Sequence, residues 1–317
     1  NPEHALDLLS LVESVLEDPT IVIRRQVDRL KTELINRLQA EGVSYDERMN
    51  RLDEVTHPQP IADYLHAAFE HCRRDHPWVG GDAVRPKSVA REMVEDYLGF
   101  TDYVRRYGLQ RSEGVLLRYL SQVYKTLDQN VPDQVKTEAV RDIVAFLRAM
   151  LERVDTSLIE EWESMRHPEL LLEGIPDAKT AHLVLVAQQL RGDPAALASR
   201  LRAELHQLVA SLARHDWEEA ATCVRHTADE PSALVEPDDF SNAMEPFFAD
   251  HKKLVFDHRA RLAEHTQHTS AGDNRWQFVQ VLIDPSDDNL WCVEGRVDLS
   301  DDANVEGPLI VVTRIGT

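Results

Sequence analysis

The sequence predicts an α+β chain: a mainly helical first half, then helices that run into an antiparallel sheet. Three observations predict it. Apolar residues recur at helical spacing in the first half, as Val115, Leu116, Leu120, Val123 and Leu127 do in RSEGVLLRYLSQVYKTL. Near the end the period changes to two, in WQFVQVLIDP (Trp276–Pro285) and LWCVEGRVDL (Leu290–Leu299), joined by a Ser-Asp-Asp-Asn turn. Between these regions the pattern breaks after Pro168, at Glu173-Gly174-Ile175-Pro176. The expected organisation is a helical bundle over 1–170, a linker over 171–192 and an α+β domain over 193–317.

The elements follow in order. Asp18-Pro19 reads as an N-cap with Pro at the first helical position, and Val27, Leu30, Leu34 and Leu38 stripe the helix behind it as far as Gly42. Ser44 and Glu47 fit a capping box. A helix with Ile61, Leu65, Phe69 and Cys72 follows the break at His57–Pro60. His76–Pro86 reads as a loop, and helices are expected from Lys87 to Phe100, Asp102 to Tyr107, through Arg111–Leu127, and from Asp133 to Met165. Trp78 and Trp162 are expected to anchor this core. His182–Ala187 is a strand or a buried helix end. Asp193-Pro194 opens a helix with Leu197, Leu201, Leu205, Leu208 and Leu212, followed by helices over Trp217–Val224 and Asp239–Lys253. A third strand is expected over Pro308–Gly316.

Composition bounds the function. The chain has 317 residues, 43% apolar and 29% charged, which suits cores of ordinary size. No apolar run is long enough to cross a membrane. Three dispersed cysteines, Cys72, Cys223 and Cys292, fit a reducing cytoplasm better than a disulfide framework. The chain starts without Met and without a basic lead-in, and reads as part of a longer protein. The formal charge of −21 repels phosphate, so any contact with nucleic acid has to be local. From Asp229 onward 18 acids face 7 bases, whereas from Arg85 to Lys125 eight bases outnumber five acids.

The phosphate loop G-x-x-x-x-G-K-[ST], the G-x-G-x-x-G turn, a D-E-x-[DH] box, the G-x-S-x-G elbow and H-E-x-x-H are all absent from the sequence. No catalytic set, metal site or cofactor is assigned to these residues. His265 and His268, three apart, suit a metal if their segment is helical, but His251, His258, His265 and His268 together follow no standard ligand spacing and read as a solvated His-rich segment. Asp238-Asp239 and Glu160-Glu161 read as helix-end or surface charges. The candidate interface is instead the basic helix. Arg111, Arg118 and Lys125 are spaced by seven and share one face, with Arg105 and Arg106 nearby and Tyr119 and Tyr124 as candidate base-stacking rings. The alternative is a core helix whose charges are merely solvated.

The run Arg85–Asp133, RPKSVAREMVEDYLGFTDYVRRYGLQRSEGVLLRYLSQVYKTLDQNVPD, resembles the C-terminal region of bacterial DEAD/DEAH-box helicases, which carry such a domain behind two RecA-like motor domains. The likeness extends over nearly the whole chain, with VDTSLIEEWE and the Asp-Pro-x-x-Asp-Asn turn before Trp291 among its more specific parts. Glu113–Arg118 is also similar to a segment in the C-terminal helical bundle of superkiller-type RNA helicases. This resemblance implies that Arg111 and Arg118 contact a single strand (RNA favoured over DNA), that Gly114 permits close helix packing, and that ATP and Mg belong to a motor elsewhere in the parent protein. From Asp193 the layout is similar to nuclear-transport-factor-2-like cones. Two alternatives stay open: an acidic interaction or dimerisation module, and a small-ligand-binding cone.

Overall fold

The computed structural model describes residues 2–80, 84–154, 178–227 and 232–317. It is an α+β protein that divides into two units, 1–154 and 155–317. The expected boundary at residue 170 lies outside the described residues, as do Glu160, Glu161 and Trp162.

Unit one is helical: α1 (Pro2–Val15), α2 (Thr20–Ala40), α3 (Tyr45–Asp53), α4 (Ala62–Asp75), α5 (Ala90–Glu95), α6 (Phe100–Tyr107), α7 (Glu113–Gln129) and α8 (Glu138–Val154). Helix α7 packs against α1, α2 and α8. Leu116, Leu120, Val123 and Leu127 are buried, as are Leu147 and Leu151 of α8 and Leu9 of α1. Ser44 caps α3 by accepting the Glu47 N–H at 3.4 Å.

The starts of α2, α5 and α6 differ from expectation. Helix α2 begins at Thr20, one residue later than expected. The Asp18 carboxylate turns to the buried Lys87 ammonium, 3.0 Å away. The helix expected over Lys87–Phe100 is shortened to Ala90–Glu95, and the one expected from Asp102 starts at Phe100. Tyr97 adopts a left-handed φ of 49°, so α6 begins afresh behind Gly99. Trp78 is 79% exposed and anchors no core, and Val115 lies on the solvent side of α7.

Unit two begins, among the described residues, with α9 (Ala178–Gly192), which occupies most of the expected linker. Its buried Ala181, Ala187 and Leu190 make it a packed helix rather than a tether or a strand. Arg191 ties it down, donating from Nε to the Leu299 carbonyl at 2.7 Å and pairing with Asp302 at 2.6 Å. Helices α10 (Pro194–Ala213), α11 (Trp217–Thr222) and α12 (Pro237–Asp250) follow, then β1 (Thr266–Gly272), β2 (Arg275–Val281), β3 (Cys292–Asp298) and β4 (Ile310–Gly316) in an antiparallel meander of that order. Asp193 caps α10 through the Ala195 N–H at 2.9 Å, as the Asp-Pro signature predicts. Asp239 takes the N–H groups of Val235 and Glu236 at 3.0 and 2.9 Å, and these bonds hold its carboxyl below the usual range.

Leu197, Leu201, Leu205, Leu208 and Leu212 of α10 share one core with Phe278, Val293, Val297, Ile310 and Val312 of the sheet. His268, Phe278, Gly295 and Val312 form one cross-strand row. Polar and charged groups are buried in this unit too, several of them on α10. Glu204 accepts the Leu309 N–H at 2.7 Å and pairs with Arg200 at 2.8 Å, fixing the entry to β4. Burial pushes its carboxyl upward, and the Arg200 guanidinium opposes this. Arg202 and His206 are also buried. Burial, followed by the charges of Arg261 and Arg202, lowers the His206 pKa to about 3.

The sign of the His206 effect follows from linkage. Between pH 6.5 and 3 the unfolded chain binds a proton that the folded one refuses, so this contribution to stability falls as pH falls, by up to about 1.4 kcal/mol per pH unit. Glu204, with a raised pKa, acts in the opposite sense, so the test reads the ring itself. In a 1H–13C NMR titration from pH 8 to 5 the His206 ring is expected to stay neutral. An inflection near pH 6.5 would contradict its burial as an uncharged group.

Candidate nucleic-acid interface

Helix α7 is held in place from its buried side. Ala5, Leu9 and Val12 line the core face of α1, and Glu13, one turn beyond Leu9, falls on the same stripe. The Glu13 carboxylate accepts the N–H groups of Val89 and Ala90 at 2.8 Å, of Arg91 at 3.0 Å, and the Tyr119 hydroxyl at 2.9 Å. It thereby caps α5 and fastens α7 to α1. Burial raises the Glu13 pKa, and the three backbone N–H groups and Tyr119 counteract that shift. Lys87, 1% exposed, donates to the carbonyls of Glu13 and Leu16 at 2.8 and 2.9 Å, which satisfies the end of α1. Burial lowers the Lys87 pKa, and Asp18 offsets this.

A second network lies beside the first. Gln26 Nε2 donates to the Ser88 carbonyl at 2.6 Å, to Glu92 at 2.9 Å and to the Tyr103 hydroxyl at 3.1 Å. Tyr103 and Tyr107 donate to Glu92, and Arg106 bonds both Glu92 and Asp96. Nothing in the sequence periodicity pointed to these networks. The one available signal was an acid, Glu13, at a core position of an apolar stripe.

These networks sort the candidate residues. Arg111 and Arg118 are exposed, and make no hydrogen bond or ion pair among the described residues. Arg105 is 75% exposed, with an ion pair to Asp102 at 3.6 Å one turn away on α6. Lys125 is half-buried, and Arg106 is engaged by Glu92 and Asp96. The solvent stripe of α7 therefore runs Val115, Arg118, Gln122, Lys125, Gln129.

Three expectations are corrected here. Tyr119 and Tyr124 are 3% and 2% exposed, so neither ring has a face for a base. A β-carbon at Gly114 would meet nothing within 4 Å, so Gly114 is not a close-packing position. His265 ends a 3-10 turn (Ala263–His265) and His268 lies in β1, so helical i, i+3 spacing does not apply to this pair. Among the described residues no cluster of three or more His, Cys, Asp or Glu side chains is arranged to hold a metal. Among them, too, no helix is long and apolar enough to cross a membrane, and the three cysteines are free thiols.

The family model described as a domain of unknown function (DUF3516) matches residues 1–315. No curated protein and no solved structure matches the chain.

Proposed function

From the premise that the chain belongs to the DUF3516 family, we propose that it is an accessory region of an ATP-dependent DEAD/DEAH-box helicase, and that α7 guides a single strand, RNA by preference, along its solvent stripe. The observation that carries this is the contrast within one basic cluster. Arg106 is tied to Glu92 and Asp96, while Arg111 and Arg118 are open to solvent in a chain of charge −21. Two guanidiniums without partners among the described residues, Arg118 on a helix fixed from behind by Glu13 and Arg111 in the turn that leads into it, suit a phosphate backbone. ATP, Mg and strand separation belong to RecA-like motor domains of the parent protein. The second unit is read as a cone of the nuclear-transport-factor-2 type. Its support is the long α10, buried along most of its length beneath a four-stranded meander.

Fluorescence anisotropy on a labelled single-stranded RNA tests the reading. The Arg111→Ala/Arg118→Ala chain is expected to bind at least about tenfold more weakly at low salt. Its stability is expected to change by no more than about 0.5 kcal/mol, because both side chains are exposed. Binding unchanged by the double substitution rules the interface out. A second reading, a protein-interaction module for a basic partner, is favoured by the charge of −21, and predicts no single-strand affinity beyond about 10⁻⁴ M.

A further inference from the structure

The two edges of the sheet are treated differently. Strand β4 is covered by its own chain, which donates the Arg225 and Leu234 N–H groups to the Ile310 and Val312 carbonyls at 2.8 and 2.9 Å. Strand β1 forms the other edge, and Gln267 and Thr269 through Gly272 along it are exposed. Every second residue of an edge strand turns its N–H and C=O outward, and such a row accepts another strand unless charge, proline or a covering segment prevents it. TQHTSAG has no Asp, Glu, Lys, Arg or Pro, and among the described residues no segment other than β2 makes backbone hydrogen bonds to it. Its neighbours carry charges: Arg275 in β2, Glu294, Arg296 and Asp298 in β3, and Arg314 in β4. The hairpin that presents β1 is tight, with Gly272, Asp273 and Asn274 at φ of 84°, 50° and 59°.

We propose that β1 pairs antiparallel with β1 of a second copy of this chain, joining two sheets across a two-fold axis. The occupant follows from charge. A two-fold axis sets a strand against itself, so any ionised residue in β1 would meet its own like charge; β1 has no Asp, Glu, Lys or Arg, and burial lowers the pKa of its one histidine, His268, toward the neutral ring. The register shift between Ser270 and Gly272 confines the pairing to Thr266–Ser270, which gives a short and reversible seam. Two chains of charge −21 repel at long range, so salt strengthens this association. Single-strand binding responds to salt in the opposite direction, so failure of one proposal is distinguishable from failure of the other.

The test is sedimentation velocity on the full chain over a range of protein concentrations, at low and high salt. A monomer–dimer equilibrium is expected, with the dimer population rising with salt. Gln267→Lys/Thr269→Lys and Gln267→Glu/Thr269→Glu are each expected to weaken it at least about tenfold, with thermal unfolding unchanged because both positions are exposed. Mixing the two variants restores the dimer. A chain that stays monomeric throughout, or a dimer that both variants retain, overturns the proposal.

Discussion

Glu13→Ala is expected to lower the unfolding free energy of the helical unit by about 4 kcal/mol, and its melting temperature by about 10 °C. The substitution strands the N–H groups of Val89, Ala90 and Arg91 and the Tyr119 hydroxyl inside a core that water does not reach. Each abandoned donor costs roughly 1–3 kcal/mol, and partial collapse of the site recovers some of the sum. The Cγ methylene is lost as well. Glu13→Gln keeps the shape but turns one acceptor oxygen into a donor facing other donors, so it is expected to fall between Ala and the native residue. Circular dichroism of chemical unfolding checks both. A loss below about 1 kcal/mol for Glu13→Ala would mean that α5 does not depend on the carboxylate.

The second large effect belongs to the sheet. Gly295→Ala is expected to cost about 3 kcal/mol or more, because the added β-carbon would collide with the Val311 carbonyl oxygen and lie 2.5 Å from Phe278 Cζ. The Phe278 ring is buried in the core and β3 is an interior strand, so neither neighbour has free space to withdraw into. Glycine is thus required at this position for space rather than for its φ. The same substitution at Gly114 meets open space, and is expected to be neutral or slightly stabilising for a helix. Parallel melts of the two variants test whether the difference lies in local packing.

These contrasts explain what the sequence revealed. Long elements with a strong period were legible: α7, α10 and strands β2 to β4 lie where their apolar spacing put them. Strand β1 was not, because an exposed edge needs no apolar alternation, and TQHTSAG looks like a loop. Helix α9 was read as part of a linker because the Glu-Gly-Ile-Pro run draws a boundary, whereas its burial depends on contacts that sequence spacing does not report. In the basic helix, the seven-residue spacing located Arg118 on the open side, whereas Arg111, expected on the same helix, is exposed in the turn before α7. The spacing could not show that Arg106 is held by Glu92 and Asp96, nor that Tyr119 turns inward to Glu13, since those partners lie 10 to 106 residues away. Charge and aromaticity are legible in the sequence, but burial decides which of those groups remain available.

The most direct test of the central claim is the salt dependence of single-strand affinity, measured for the native chain and for Arg111→Ala/Arg118→Ala. If both guanidiniums hold phosphates, the slope of log K against log salt becomes shallower by about 1.4 in the variant, at roughly 0.7 for each contact on a single strand. If the two slopes coincide, or if the native chain shows no salt-dependent binding, α7 is a core helix with a solvated face and the strand-guiding role is wrong.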